Sequence, residues 1–257
     1  MILENLVFSS HLYYCFEELP STNDYALAFI RQQQLPRYEG VRIRALTQTA
    51  GRGQRDNIWL SAPQQNITAS FVVQPHFLLL KEQFYLSIIA ALAVYTCVKN
   101  FLPLAQNICI KWPNDILCEK QKIAGLLIEN ICQTNKIDYA VLGIGLNVNQ
   151  ANFSDELSAT SLYLQNGTML EVETVFQKLT ALLEKYYILL KNGQYDLLKQ
   201  QYLEALYLYQ QVATFRRSDN GLVFEGTIQG IDTYGRLLVR NTREQVETFA
   251  FKELVFL

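Results

Sequence analysis

The residues able to do chemistry in this 257-residue chain gather in five polar stretches. Gly51-Arg52-Gly53-Gln54-Arg55-Asp56-Asn57-Ile58-Trp59 sets two glycines and two arginines among polar neighbours and ends on one of only two tryptophans. Such a loop cannot build a core, but its N–H groups and guanidinium forks can wrap an anion. Taken alone, Gly-Arg-Gly is more often a solvated loop, so its meaning depends on its company. Gln48 stands just before it, and Ser21-Thr22-Asn23 lies further upstream. Downstream come Lys111-Trp112-Pro113-Asn114-Asp115, then Lys122-Ile123-Ala124-Gly125, which opens an apolar run ending at Glu129. Last is Gly143-Ile144-Gly145-Leu146-Asn147-Val148-Asn149. A lysine at the start of an apolar strand more often snorkels to the edge than holds an anion. Gly125 inside that strand marks a bulge or the close approach of a ligand. Gly143 and Gly145 empty alternate positions of one strand face, which makes room for a flat group. Each stretch alone favours a structural role. Together they place cations, a carboxylate and amides around a glycine-cleared sheet face, which suits a nucleotide phosphate plus a second anion.

The elements that position these residues follow from hydrophobic period and turn chemistry. Pro20 breaks an apolar run over 11–19, and Ser21 or Thr22 ahead of Asp24 signals a helix N-cap. Tyr25, Ala28 and Phe29 then mark an amphipathic helix to about Gln34. Residues 41–47 and 67–74 read as strands flanking the Gly/Arg loop. The uncharged run 84–98 falls short of the roughly 20 residues of a membrane span and reads as part of a buried helix over 84–101. Short β-runs over 107–112, 116–118, 122–132 and 137–149, split by polar turns, predict an antiparallel meander. Residues 172–190 and 195–209 are helical by period. Beyond Val212 short β-runs return, with turns at Ser218-Asp219-Asn220-Gly221, Asp232-Thr233-Tyr234-Gly235 and Asn241-Thr242-Arg243. These predict a barrel of about five strands, which puts a domain boundary between 1–211 and 212–257.

Composition narrows the classes. Fifty per cent hydrophobic residues suffice for a full core. With 22 basic against 24 acidic residues there is no basic footprint of a dedicated DNA binder. Five cysteines, at 15, 97, 109, 118 and 132, show no C-x-x-C pair, and there are two histidines. That argues against structural zinc and for reduced thiols in a cytoplasmic protein. The N-terminus shows no basic stretch followed by an apolar run, so no signal peptide is expected.

In order and spacing, Gln48 to Gly53, Lys111 to Asp115, Lys122 to Glu129 and Gly143 to Asn149 resemble the biotin–protein ligases. Ser21-Thr22-Asn23 fits the motif at their first helix, and Gly226 to Gly235 fits their C-terminal barrel, so the resemblance spans nearly the whole chain. It implies an α+β fold: a class II synthetase-like catalytic domain with a mixed or antiparallel sheet, then an SH3-like barrel. It implies that biotin and MgATP give biotinyl-5′-AMP, whose acyl group passes to one lysine of a biotin carboxyl carrier protein. By that resemblance Arg52 and Lys122 meet the biotin carboxylate and α-phosphate, and Asp115 orders Mg2+ or the incoming lysine. Ser21, Thr22, Asn23, Gln48, Gly51 and Gly125 would frame biotin. Gly53, Gln54, Arg55, Trp59, Asn114 and Asn147 would address the nucleotide.

Two positions depart from the family loop. Gln54 stands where arginine is usual and Asp56 where glycine is common, so charge moves toward Arg55 unless Asp56 pairs with it. The absence of an N-terminal helix-turn-helix module predicts a ligase without specific DNA binding, and monomer and homodimer both stay open. The rival readings are a lipoate or octanoate ligase or transferase of the same superfamily, and a non-catalytic biotin-binding homologue.

Overall fold

The computed structural model describes residues 7–8, 12–32, 38–54, 57–105, 107–154 and 157–257. Two sheets share one apolar core. The first sheet has seven strands: β1 (Tyr13–Leu19), β2 (Arg42–Gln48), β3 (Ile67–Val73), β4 (Ile108–Lys111), β5 (Asp115–Cys118), β6 (Gln121–Gln133) and β7 (Lys136–Leu146), in spatial order β1-β2-β3-β7-β6-β5-β4. β1 and β2 pair parallel and every other neighbour pairs antiparallel, so the sheet is mixed. The expected meander runs through β4 to β7, and β3 closes onto β7.

Period-two alternation gives this sheet two different faces. In β3, Ile67, Ala69, Phe71 and Val73 point into the main core, and Thr68, Ser70 and Val72 point the other way. On the core side lie the helices α2 (Phe84–Phe101), α4 (Val172–Lys191) and α5 (Tyr195–Glu204). α2 is apolar nearly all round, as a helix packed on both sides must be, and ten of its residues are buried. Extended back to Leu80, it is long and apolar enough to cross a membrane by length and composition. Here those side chains fill the core instead.

The opposite face carries α1 (Thr22–Arg31), whose Ala26, Phe29 and Ile30 cover Ile43, Val72 and Val141. Ser21 caps it as expected, its hydroxyl accepting from the Asp24 amide at 3.3 Å. A short helix α3 (Leu162–Asn166), capped by Ser161 and closed by Gly167, was not foreseen from the sequence. α5 ends at Glu204, not at residue 209. There the chain leaves the helix to pair with β4: the Ile110 amide donates to the Ala205 carbonyl and the Tyr207 amide to the Ile110 carbonyl.

The second sheet holds β8 (Val212–Arg217), β9 (Val223–Ile231), β10 (Leu237–Asn241), β11 (Val246–Phe249) and β12 (Leu254–Phe256), in order β11-β10-β9-β8-β12. It docks on the turn between β4 and β5. The Trp112 indole N–H donates to the Gly235 carbonyl at 2.8 Å, and its ring meets Phe251 edge-on.

Burial sorts the thiols. It pushes Cys97 up to about 12 and both Cys109 and Cys118 up to about 11, while Cys15 and Cys132 are exposed. A disulfide reagent at about pH 8 is expected to label Cys15 and Cys132 in the native protein and the other three only after unfolding. Rapid native labelling of Cys97 would contradict this packing.

Candidate active site

One row of paired residues crosses the sheet. Ala45 lies opposite Thr68, Thr68 opposite Gly145, Gly145 opposite Gly125, Gly125 opposite Asp115, and Asp115 opposite Lys111. Residues directly opposite share a face. Stretches far apart in sequence are therefore brought to one line by hydrogen-bond register alone. Above this row opens a cavity of about 550 Å3, lined among others by Ser21, Thr22, Asn23, Gln48, Arg52, Gly53, Gln54, Trp59, Asn114, Asp115, Lys122 and Gly125. That size suits a small-molecule or cofactor site.

On the two sides of the Gly/Arg stretch, residues 51–54 pair with 57–59 beside the cavity. Arg52 bridges Ile58, the Trp59 amide donates to the Gly51 carbonyl at 2.9 Å, and the Gly53 amide donates to the Asn57 carbonyl at 2.7 Å. The Gly53 amide is thus bonded within the loop, while Gly53 itself lines the cavity. Gly51 lies against Trp59 and Gln48, where a Cβ would come within 2.5 Å of the Trp59 carbonyl. Arg55 and Asp56 fall outside the described residues.

The glycine-cleared face is not empty. A Cβ on Gly145 would sit 2.3 Å from Trp59 Cε2, and one on Gly125 3.1 Å from both Trp59 Cζ3 and Lys122 Cε. A Cβ on Gly143 would sit 2.3 Å from Asn23 Oδ1. The clearing read from sequence as space for a ligand ring is therefore filled by the chain's own Trp59 and Asn23. The open space of the cavity lies beside the indole. The Trp59 indole N–H is buried with no hydrogen-bond acceptor, and a buried unsatisfied donor is what a polar ligand can satisfy.

Of the cations lining the cavity, Arg52 and Lys122 are held by carboxylates. Lys122 Nζ lies 2.8 Å from Asp115 Oδ1 and 5.6 Å from the Trp59 ring centroid. Arg52 Nη2 lies 2.9 and 2.7 Å from the Glu129 oxygens and 2.7 Å from Asp24 Oδ1. Burial lowers the Arg52 pKa, but Glu129 and Asp24 more than offset it, so the guanidinium stays firmly protonated.

The remaining predicted residues divide into two groups. Gln48 Oε1 accepts from the Thr22 amide at 2.7 Å, satisfying one of the free donors that open α1. Asn23 is buried, donating to Glu129 Oε2 at 2.8 Å and to the Leu127 carbonyl, so it fixes Glu129 more than it offers itself to a ligand. Asn114 borders the cavity, its amide donating to the Leu126 carbonyl at 2.8 Å. Asn147 does not line the cavity. It is buried, its amide donating to the Thr160 carbonyl at 2.9 Å while its Oδ1 has no hydrogen-bond partner.

Sequence reasoning missed Ser70, whose hydroxyl donates to Asn23 Oδ1 at 2.6 Å and lies 2.8 Å from Thr22 Oγ1. The signal was present: Thr68 and Ser70 put hydroxyls at alternate positions of an otherwise apolar strand. It also missed the cavity wall supplied by the second sheet, from Ser218, Phe251, Lys252 and Phe256. No pattern in the sequence links these residues to the first sheet.

The architecture is that of a known class of fold. The biotin protein ligase of Aquifex aeolicus, solved in complex with biotin and ATP, superposes with a TM-score of 0.76 at 21% identity, covering 95% of this chain and 97% of that one. Residues 15–147 match the biotin/lipoate A/B protein ligase family, and the chain belongs to that family. It is 31% identical over 201 residues to the biotin–[acetyl-CoA-carboxylase] ligase of Mycobacterium tuberculosis, covering 77% of this chain and 73% of that protein. It is 33% identical over 213 residues to the bifunctional ligase/repressor BirA of Bacillus spizizenii, covering 81% of this chain but 64% of that protein's length.

Proposed function

We propose that the chain is a biotin–protein ligase. In this reading it joins biotin to ATP as biotinyl-5′-AMP and passes the acyl group to a lysine of a biotin carboxyl carrier protein in the cytoplasm. The observation that carries this reading is the placing of Arg52 and Lys122 on one cavity, each already matched to a carboxylate. An attack of carboxylate on α-phosphate brings two anions together, so cations fixed in advance lower the barrier most. Lys122 would leave Asp115 to follow the reacting oxygens, and Arg52 would hold the biotin carboxylate. Trp59 would wall the adenylate, with Ser21, Thr22 and Gln48 shaping the biotin end. Mg2+ is read as arriving with ATP. Among the described residues no three ligating side chains cluster, and Mg2+ bound through phosphates needs only one or two carboxylates. Residues 1–211 would form the catalytic domain and 212–257 a barrel that completes its wall.

The test is ATP–pyrophosphate exchange with biotin, lipoate and octanoate offered separately. Exchange that depends on biotin is the expected result. Exchange with lipoate or octanoate alone would move the chain to the lipoate branch of its family, and exchange with none would leave a binding protein.

A further inference from the structure

Between β11 and β12 the chain turns over residues 250–253. The Glu253 amide donates to the Ala250 carbonyl at 3.1 Å, and the Ala250 amide donates to Glu253 Oε2 at 2.8 Å. The third residue of this turn, Lys252, has a φ of +72°. Positive φ at the third position of a four-residue turn is ordinarily taken by glycine, because a Cβ crowds the backbone there. Eight of the described non-glycine residues have positive φ, and Lys252 is the one among them that lines the cavity. The turn is fixed in place. Phe251 meets the Trp112 ring edge-on, and the Ser218 amide donates to the Glu253 carbonyl at 3.0 Å. Lys252 and the Lys122–Asp115 pair therefore border one cavity from different sheets. Arg52 and Lys122 are matched to carboxylates, and Gln54 lines the cavity without charge. Lys252 meets no carboxylate among the described residues, and its ammonium lies 6.0 Å from the Phe251 ring centroid.

We propose that Lys252 is a diphosphate-binding residue, holding from the second sheet the end of the nucleotide that leaves as pyrophosphate. A backbone conformation that disfavours side chains persists where the side chain has a use. Here the use is an uncommitted ammonium on the rim of a cavity whose other wall cations already face carboxylates or rings. When a carboxylate oxygen bonds to the α-phosphorus, the bond from that phosphorus to the bridging oxygen breaks. Its electron pair leaves with pyrophosphate, and Lys252 meets that charge. The identity of the nucleotide rests on the ligase reading; diphosphate binding by this turn does not.

Calorimetric titration of the full-length protein with magnesium pyrophosphate tests this. Lys252→Gly and Lys252→Gln are each expected to weaken binding about three- to tenfold, the range of one charge-assisted hydrogen bond. Lys252→Arg keeps the affinity. About 0.5 M salt narrows the gap between wild type and Lys252→Gln, because an exposed cation is screened. Lys252→Gly keeps or raises the melting temperature, since glycine takes positive φ freely, so its lost binding is not lost folding. In the exchange assay Lys252→Gln raises the KM for ATP by a similar factor and leaves the KM for biotin unchanged. A residue that only shapes the turn would not produce that split. Unchanged pyrophosphate affinity in Lys252→Gln, or a wild type that binds no magnesium pyrophosphate, overturns the proposal. So does a loss confined to Lys252→Gly, which would trace to the backbone and not the charge. If the wild type shows no exchange, the ligase reading fails and the titration still decides the role of Lys252.

Discussion

Lys122→Ala is expected to slow biotin-dependent ATP–pyrophosphate exchange by about 10²–10³-fold, the usual cost of losing one preorganised charge partner of a transition state, while binding of free biotin weakens far less. The asymmetry follows from what Lys122 faces. Its ammonium lies 2.8 Å from Asp115 Oδ1, and that oxygen is buried without an aligned hydrogen bond. Removing the lysine subtracts a cation from the reacting phosphate and also leaves a bare carboxylate on the same wall, which repels what it should attract. The double variant Lys122→Ala/Asp115→Asn should therefore recover part of the loss, a coupling a double-mutant cycle measures. Equal losses in exchange and in biotin affinity, with no recovery in the double variant, would mean that Lys122 only shapes the cavity.

Gly145→Val is expected to evict the Trp59 indole. Even a methyl group at 145 would lie 2.3 Å from Cε2 and 2.5 Å from Cζ2, and the row's own backbone cannot retreat without breaking its pairing with Thr68 and Gly125. The ring must leave, and the hairpin that carries it must follow. A displacement of about 1 Å among positioned groups can cost about 10²-fold in rate, and exchange should fall by that order. Fluorescence reports the cause independently, because the chain has two tryptophans. Trp112 is buried at the second sheet, so a red shift that vanishes in Gly145→Val/Trp59→Phe belongs to Trp59. An unshifted spectrum with undiminished exchange would show that the indole has another seat.

Much of this was legible in the chain itself. The apolar run that became α2 matches the helix at both ends, because Pro103 and a nearly all-apolar pattern leave few alternatives. The strands of the meander were marked by their polar turns. What was not legible depended on contacts distant in sequence. α5 stops at Glu204 because β4 offers a free edge to residues 205–207, and no local signal announces that. Gly143 and Gly145 were correctly read as clearing a strand face, yet the occupants, Asn23 and Trp59, come from other elements. Arg52 was legible as a cation. Its holders were not, since Asp24 reads as an ordinary acidic first turn and Glu129 as the end of a strand.

The row from Ala45 to Lys111 makes the site an instrument of register. Side chains alternate between faces, so a slip of one residue in β3, β7 or β6 would turn Thr68, Gly145 or Gly125 toward the core and set an apolar side chain in the clearing. The irregular steps of the neighbouring ladders lie off this line, after Ile116 in β5 and after Ile131 in β6. Shifts in phase are thus absorbed outside the row, and six strands stay in step where the cavity opens. Activity in this chain would then act as a proofreader of its own folding: only the sheet with its pairing in phase assembles a cavity at all.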